Sequence, residues 1–446
     1  MLAIISLPFV NQAAAAQEST LKINSTEKKL YLPKEIDRVP KNNDYNDVNS
    51  VYNFKHMVQS DNVAIFWDKE YGDNPMTDPN VKKRFDVNNM LKECERFYNY
   101  YVNDLKLVQK GKSVSDKYKL LVFVFGGNDG TAYGGGIDDK IPALWTPAVR
   151  VNKTPYGVLA HEMIHCFQFI SGIDGARGGG VNPEMAAQYG LWQVLPEWMT
   201  FENYHLVAFM NQTHLAFGHP DNMYHSAQVL EYWSFKHGKE FYGDMLRSKE
   251  QGDAVTLYKK MYNLTQEQFN DEMFDACRRF ITWDLPRIEK VAHQYANQHH
   301  TDLNDVNDGW YRIAKSKCPQ NYGYNGIKLK VPAAGTNVVL NFKGIVAAED
   351  VNAVKKAGWR YGFLASLKDG SRVYGDVCKD KEGTATFKVP ENTEYLWLVV
   401  MGAPTEHRAS SMMRRRARAG GSGVEQWPYQ IKLTGTTLDD SVIKKP

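Results

Sequence analysis

The chain has 446 residues, of which 43% are hydrophobic and 24% are charged, and its formal net charge at pH 7 is +3. A chain of this length and composition can bury a large core and should divide into two or three domains. Removing the five positive charges of one arginine tract from +3 leaves −2, so no global basic field favours nucleic acid as a partner. The five are Arg408, Arg414, Arg415, Arg416 and Arg418.

The first 16 residues have the pattern of a secretory signal. An apolar run at residues 2–10 is followed by small residues at 13–16, where cleavage is expected. The run is too short to span a bilayer and no other segment comes close, so we expect no transmembrane segment. Export from a bacterial-type cell is therefore predicted, to the medium, the periplasm or the cell surface. A buried N-terminal strand is the alternative interpretation.

The next segments predict an extension followed by a sheet with one helix. Residues 17–58 are polar and rich in Asn, Asp and Lys, which predicts a weakly structured N-terminal extension. Short apolar runs at 63–67 and 119–125 predict buried strands. Between them, apolar residues from 87 to 105 recur at helical spacing and predict an amphipathic helix.

A glycine-rich stretch, "GGNDGTAYGGG" at residues 126–136, invites comparison with a phosphate-binding loop. It lacks the Gly-Lys-Ser/Thr sequence of such a loop and has no helix directly after it. We therefore predict an irregular turn that leads into an edge strand in the region 133–145.

The sequence His161-Glu162-Met163-Ile164-His165 carries the strongest chemical signal of the chain. Thr154-Pro155 predicts a helix start just before it, and Gly172 predicts its end. Residues four apart share a helix face, so His161 and His165 can bind one Zn²⁺. Glu162 then lies beside the zinc site as a general base. The alternative to a metal site is an exposed polar stripe on the helix.

A catalytic zinc needs a third protein ligand, and acidic residues follow on a second predicted helical region at 186–210. The candidates are Glu184, Glu197 and Glu202. Over residues 154–237 the chain resembles the gluzincin metallopeptidases, in which a Glu on the next core helix completes the HExxH site. The segment "LPEWMTFE" looks like the family's glutamate segment, so the resemblance implies Glu197 as the ligand. Trp198 departs from the family's common Gly, which keeps Glu184 and Glu202 as rivals.

The resemblance also implies a mechanism. Zinc lowers the pKa of a bound water, Glu162 takes the proton of this water, and a further donor stabilises the oxyanion. Tyr224 and His225, at the start of a helix predicted for 224–237, are the candidate donors. In zincins, an edge strand above the metal pairs with extended substrate, which here implies the region 133–145.

More loosely, four stretches resemble uncharacterised secreted bacterial and fungal proteins with zincin-like domains. They are "NVAIFWDKEYG", "AYGGGIDDKIPALWTP", "LAHEMIHCFQ" and "YGFLASLKDGSRVYGD". This resemblance supports a fold and a metal more than a particular reaction.

Beyond the HExxH motif, further helices are predicted at 239–247 and 265–283, the last with a Thr265–Gln268 capping box. After about residue 320 the pattern changes to short strands separated by turns, which predicts a β-sandwich. The expected fold is an α+β zincin-like domain at 59–318 followed by an all-β sandwich at 319–446. The sandwich is either a glycan- or cell-surface-binding module or an accessory domain packed on the first.

Five cysteines form no CxxC pair: Cys94, Cys166, Cys277, Cys318 and Cys378. The first three fall on predicted apolar helix faces, where a thiol acts as a small hydrophobe. Cys318 and Cys378 could form a disulfide in an exported protein, and an odd total leaves at least one thiol free. The arginine-rich tract at 408–423 is interpreted as a disordered loop, with a nucleic-acid or membrane-surface patch, or an inserted coding segment, as alternatives.

The leading prediction is a secreted zinc metallopeptidase that acts on extracellular protein or glycoprotein. The alternative is a non-catalytic zincin-like protein that binds a surface or a glycan. A glycoside hydrolase ranks last, because no spacing marks a carboxylate pair.

Overall fold

The computed structural model describes residues 17–18, 27–128, 130–346, 355–409 and 425–444. The predicted signal at 1–16 and most of the arginine-rich tract lie outside these residues. The chain forms two compact units, one of residues 1–178 with 246–249 and one of residues 179–245 with 250–446. The expected domain boundary at 318/319 does not coincide with this division and stays a prediction.

The first unit is built on a five-stranded sheet with the order β3-β4-β5-β7-β6. Strands β4, β5 and β7 are parallel, and β3 and β6 are antiparallel edge strands. The strands of this unit, including a separate antiparallel pair β1-β2, are β1 (Gln17–Glu18), β2 (Tyr31–Leu32), β3 (Met57–Gln59), β4 (Val63–Trp67), β5 (Leu120–Phe125), β6 (Tyr133–Ile137) and β7 (Ile141–Pro147). The predicted strands at 63–67 and 119–125 and the predicted edge strand are confirmed.

Two 17-residue helices, α1 (Val87–Asn103) and α2 (Gly157–Ile173), pack on one face of this sheet. The Tyr101 hydroxyl of α1 donates a hydrogen bond to the Ala160 carbonyl oxygen of α2 over 3.1 Å. Helix α2 begins at Gly157, two residues after the expected start at Pro155, and its N-cap residue Tyr156 makes no side-chain capping bond. The stability of α2 therefore depends on burial of its apolar face rather than on a cap.

The N-terminal extension covers the other face of the sheet, and the prediction that it is weakly structured was wrong. Tyr31, Tyr45 and Tyr52 of this segment are buried against Phe66 and Phe123 of the sheet. The Tyr52 ring meets the Phe123 ring edge-on, with centroids 5.0 Å apart. Because helices cover one face and the extension covers the other, every residue of β4, β5 and β7 is buried.

The second unit begins with a series of helices. They are α3 (Pro183–Val194), α4 (Trp198–Phe201), α5 (Tyr204–Asn211), α6 (Gln228–His237), α7 (Phe241–Leu246, ending at the edge of the first unit), α8 (Ala254–Met261), α9 (Gln266–Thr282) and α10 (Glu289–Ala292). The predicted capping box is present: the Thr265 side chain accepts from the Gln268 N–H, and the Gln268 side chain accepts from the Thr265 N–H.

The single helix predicted for 186–210 is divided into α3, α4 and α5. Proline has no N–H to donate and disfavours helical backbone in the residue before it. Pro196 therefore ends α3, and Leu195 leaves the helical region with φ −140° and ψ 71°. The helix predicted to open at Tyr224 begins instead at Gln228.

Two sheets follow, one of four strands in the order β10-β15-β12-β13 and one of six in the order β14-β11-β16-β9-β8-β17. The strands are β8 (Leu303–Asp305), β9 (Trp310–Ile313), β10 (Tyr324–Leu329), β11 (Asn337–Gly344), β12 (Trp359–Leu367), β13 (Arg372–Tyr374), β14 (Glu382–Lys388), β15 (Thr393–Gly402), β16 (Tyr429–Thr434) and β17 (Ile443–Lys444). Among the described strands of these two sheets, only β17 pairs in parallel, with β8. The six-stranded sheet therefore uses two strands that precede residue 319, where the sandwich was expected to begin.

One apolar core joins the two sheets. It contains Trp359 and Leu398 from the four-stranded sheet, and Phe342 and Ile431 from the six-stranded sheet. The alternation of buried and exposed residues along β11 and β14 shows that the six-stranded sheet buries one face. Helix α9 lies on the outer face of the four-stranded sheet, where Ile281 approaches Gly326 so closely that a Cβ would lie 2.6 Å from it.

All five cysteines lie in the described part of the chain and all are free thiols. The suggested pairing of Cys318 with Cys378 is therefore wrong: Cys318 is buried, whereas Cys378 lies half-exposed in an isolated bridge to Tyr361. No helix in the described part of the chain is long and apolar enough to cross a membrane.

Candidate metal centre

Helix α2 presents His161 and His165 on one half-exposed face. Their ring centroids are 5.1 Å apart and the ring planes differ by 74°. The Nδ1 atom of His165 lies 2.8 Å from the Gln168 Oε1 atom, an amide oxygen that only accepts hydrogen bonds. His165 therefore carries its proton on Nδ1, which makes Nε2 the nitrogen with the lone pair that a metal requires.

Glu184 completes the only group of metal-type side chains found among the described residues. One donor atom each from His161, His165 and Glu184 lie within 4.8 Å of one another, and all three side chains are half-buried. Glu184 lies in the first turn of α3, which Asn182 caps by accepting from the N–H groups of Glu184 and Met185, with Pro183 at the first helical position. The cap fixes where the helix begins and so where the Glu184 side chain projects.

Glu197, the expected third ligand, is not part of this group. It is an exposed residue at the N-terminal end of α4, because Pro196 ends the preceding helix. Glu202, the other rival, lies at the end of α4, and its Oε2 atom is 4.0 Å from the His205 Nε2 atom. The geometry thus favours Glu184 among the three candidates. The Asn182-Pro183 helix start was a sequence signal that could have led to it.

Glu162 is only 8% exposed, whereas the two histidines are half-exposed. Its backbone carbonyl lies against the edge strand β6, where a Cβ added at Gly134 would be 2.1 Å from the Glu162 oxygen. A Cβ at Gly136 would be 1.8 Å from the Phe169 ring. The glycines of β6 therefore allow the strand to approach the HExxH helix, which is a packing role and not phosphate binding.

Cys166, next to His165, is a buried structural thiol. Its Sγ atom lies 3.2 Å from the Ala143 carbonyl oxygen, and burial raises its pKa well above the usual value. A thiol that is not ionised is a weak nucleophile, so burial does not activate Cys166.

Tyr224 and His225 lie in the loop that precedes α6 and not on a helix. This loop is anchored by Asn222 and Ser226, both fully buried: the Asn222 amide donates to the Ala216 carbonyl, and the Ser226 hydroxyl lies 2.8 Å from the Phe217 carbonyl. Burial lowers the pKa of His225, an effect that the nearby Asp221 carboxylate opposes.

Both residues contact His205 of α5, which the sequence analysis missed. The His205 and His225 Nδ1 atoms are 2.9 Å apart, and the Tyr224 ring stacks on the His205 ring with centroids 5.9 Å apart. His205 Nε2 lies 3.1 Å from the Gln188 Nε2 atom of α3. No spacing in the sequence relates His205 to His225, because the loop between them sets this contact.

The fold and the site define an α+β protein with an HExxH helix, a nearby glutamate and a two-sheet β region. The family model described as "Family of unknown function (DUF6055)" matches residues 22–440, and the chain belongs to this family. No curated protein matches the chain.

Some solved structures match weakly. The catalytic module of the metalloprotease ZmpA from Clostridium perfringens is 10% identical, with a TM-score of 0.31, over 81% of this chain and 68% of that chain. The M60 catalytic domain of Clostridium perfringens ZmpB with two CBM51 domains is 9% identical, with a TM-score of 0.28, over 88% and 60%. A family 22 carbohydrate-binding module of Clostridium thermocellum Xyn10B is 9% identical, with a TM-score of 0.18, over 30% and 75%. These scores are too low to define a shared fold.

Proposed function

We propose that the protein is a secreted zinc-dependent peptidase that hydrolyses peptide bonds in extracellular proteins or glycoproteins. The observation that carries the proposal is the group of His161, His165 and Glu184, whose donor atoms lie within 4.8 Å of one another. An HExxH sequence is by itself only a hypothesis of a metal site, and a carboxylate whose oxygen lies close to both imidazoles supports it.

The residues fit zinc by their chemistry. Two imidazole nitrogens and one carboxylate oxygen form a three-ligand set that catalytic zinc sites use, and such a set leaves a fourth position for water. The Gln168 contact to His165 Nδ1 is the outer-shell bond that orients a ligating histidine.

Zinc held by these residues would lower the pKa of a water molecule toward neutrality and polarise the carbonyl of the substrate. The Glu162 carboxylate accepts a proton from this water as its oxygen attacks the carbonyl carbon. The same carboxyl then delivers the proton to the amine nitrogen when the C–N bond breaks. His225 and Tyr224 are the proposed donors to the negative oxygen that develops on the carbonyl.

The Glu162→Gln variant tests the proposal, because it keeps the size of the side chain and removes only the base. We expect zinc content to remain at about one ion per chain while hydrolysis of a casein or mucin-type glycoprotein substrate falls by at least about 100-fold. His165→Ala is the matched variant for the metal, and it should lose both zinc and activity. Zinc is measured by elemental analysis of purified protein.

Two results would contradict the proposal. If the wild-type protein contains no zinc after purification and dialysis against zinc, the proposed metal centre is wrong. Wild-type protein that binds zinc without hydrolysing any peptide, with Glu162→Gln identical to it, would favour the non-catalytic surface- or glycan-binding protein.

A further inference from the structure

Three side chains of the second unit form a continuous hydrogen-bond chain from α3 to the loop before α6. Gln188 Nε2 is 3.1 Å from His205 Nε2, and His205 Nδ1 is 2.9 Å from His225 Nδ1. Gln188 is four residues after Glu184 on α3, so this hydrogen-bond chain starts from the helix face that carries Glu184, the candidate metal ligand.

The order of donors and acceptors in this hydrogen-bond chain follows from the side-chain amide of Gln188. The Gln188 Nε2 group only donates, so His205 Nε2 accepts and carries the lone pair. The proton of the neutral His205 ring is then on Nδ1, which donates to His225 Nδ1. Because His225 Nδ1 accepts this bond, the proton of the neutral His225 ring is on Nε2.

Neither Glu202 nor Asp221 reverses this order. The Glu202 carboxylate is 4.0 Å from His205 Nε2, which is too far to accept a hydrogen bond from it. Asp221 is the charged group that acts on His225, and burial outweighs it, so the pKa of His225 is lowered and the ring is neutral near pH 7. A neutral ring with its proton on Nε2 is a hydrogen-bond donor.

We propose that His205 is a positioning residue that holds His225 in the Nε2–H tautomer, so that His225 can donate a hydrogen bond to the oxyanion of the substrate. This inference rests on the proposed peptidase function. The buried Asn222 and Ser226 hold the loop that carries His225, and this loop places the His225 ring against His205.

The first experiment measures the tautomer directly, without reference to activity. Protein labelled with ¹⁵N at histidine is examined by NMR, and His225 is assigned from the signal that disappears in His225→Gln. We expect Nε2–H in the wild type and loss of this single tautomer in His205→Ala. His205→Asn should retain it, because the Asn amide nitrogen occupies the place of Nδ1 and donates to His225. An Nδ1–H tautomer in the wild type, or no change in His205→Ala, would overturn the proposal.

The second experiment is kinetic. His205→Ala should lower kcat by roughly 10- to 100-fold with little change in KM, because the lost donor acts on the transition state. His205→Asn should recover most of this loss, whereas a residue with only a structural role would gain nothing from an amide at this position. Equal kcat values in His205→Ala and His205→Asn would refute the positioning role.

The two proposals can fail separately. If the tautomer of His225 responds to His205 as expected and the wild type hydrolyses no peptide, the hydrogen-bond chain stands and the peptidase function is wrong. If the wild type is an active zinc peptidase and the tautomer is independent of His205, only the positioning role is wrong.

Discussion

The candidate site depends on where a few polar side chains are held. His161 and His165 share a helix face by their spacing alone, whereas the proton position of His165 depends on Gln168, three residues further along α2. Both partners are on one helix, so this part of the site is local.

Glu184 is a testable assignment, because three acidic residues compete for one role. Glu184→Gln should lower the zinc content of the purified protein well below one ion per chain, since a neutral amide is a weaker ligand than a carboxylate. Glu197→Gln and Glu202→Gln are the matched controls and should retain zinc. Zinc retained in Glu184→Gln but lost in Glu197→Gln would restore the assignment made from the sequence resemblance.

The residues that sequence reasoning found and missed differ in a physical way. The proximity of His161 and His165 was predicted because a helix repeats every 3.6 residues and brings residues four apart onto one face. His205 was missed because its neighbours, Gln188 and His225, are 17 and 20 residues away, and breaks between α3, α4, α5 and α6 interrupt the helical repeat. Glu197 was chosen from a resemblance of letters, and the break at Pro196 leaves it exposed.

At the scale of elements, the approach of β6 to α2 decides how close the sheet edge lies to the HExxH helix. Gly134 and Gly136 face α2, and Gly135 faces away from it into open space. This alternation follows from the two-residue repeat of a strand. A glycine triplet in the sequence therefore contains two positions under steric constraint and one without it.

Gly134→Ala should lower the free energy of unfolding by about 1–3 kcal/mol, because the added methyl group overlaps the Glu162 carbonyl and a backbone oxygen cannot rotate away. Gly135→Ala is the control on the same strand and should change the stability by less than about 0.5 kcal/mol. Urea denaturation of the two variants and the wild type measures both effects. Equal losses in the two variants would mean that β6 does not pack on α2 in this register.

The division of the predicted 186–210 helix shows that one residue can override a helical pattern. The residues around Pro196 have good helical periodicity, but the proline removes a donor and forces Leu195 out of the helix. The break also places Glu184 and Glu197 on different helices, α3 and α4.

At the scale of the whole molecule, packing of segments that are distant in sequence sets the stability. Asp253 caps α8 by accepting from the Thr256 N–H, and its carboxylate lies 2.8 Å from the Nε2 atom of His407, 154 residues away. The other nitrogen of His407 lies 3.0 Å from the Tyr322 hydroxyl. Burial alone would raise the pKa of Asp253, but the bonds from His407 and Thr256 lower it to about 2.

Because the pKa of Asp253 is lowered in the folded protein, its contribution to the free energy of unfolding falls as the pH falls. The contribution of Asp253 is fully present above its unfolded value of 3.8 and is lost as the pH falls through about 2. Asp253→Asn keeps a capping oxygen and removes the charge, so it should cost about 2 kcal/mol at pH 5 and little near pH 2. Unfolding by urea at several pH values measures the difference.

The matched control for this prediction is Asp440→Asn, an exposed carboxyl paired with Lys330 on the surface. Exposed pairs contribute less than about 1 kcal/mol, so this variant should follow the wild type at every pH. A constant difference between Asp253→Asn and the wild type from pH 5 to pH 2 would show that the carboxylate is not held in its charged form.

The sequence by itself determined the features that depend on local repeats: the strands β4 and β5, the helix α1, the capping box of α9 and the pairing of His161 with His165 on α2. Tertiary structure decided the rest. The N-terminal extension is ordered because three tyrosines fill one face of the sheet, and the contact between His205 and His225 depends on how the loop before α6 folds back. Periodicity fixes which residues share a face, but only packing fixes which faces meet.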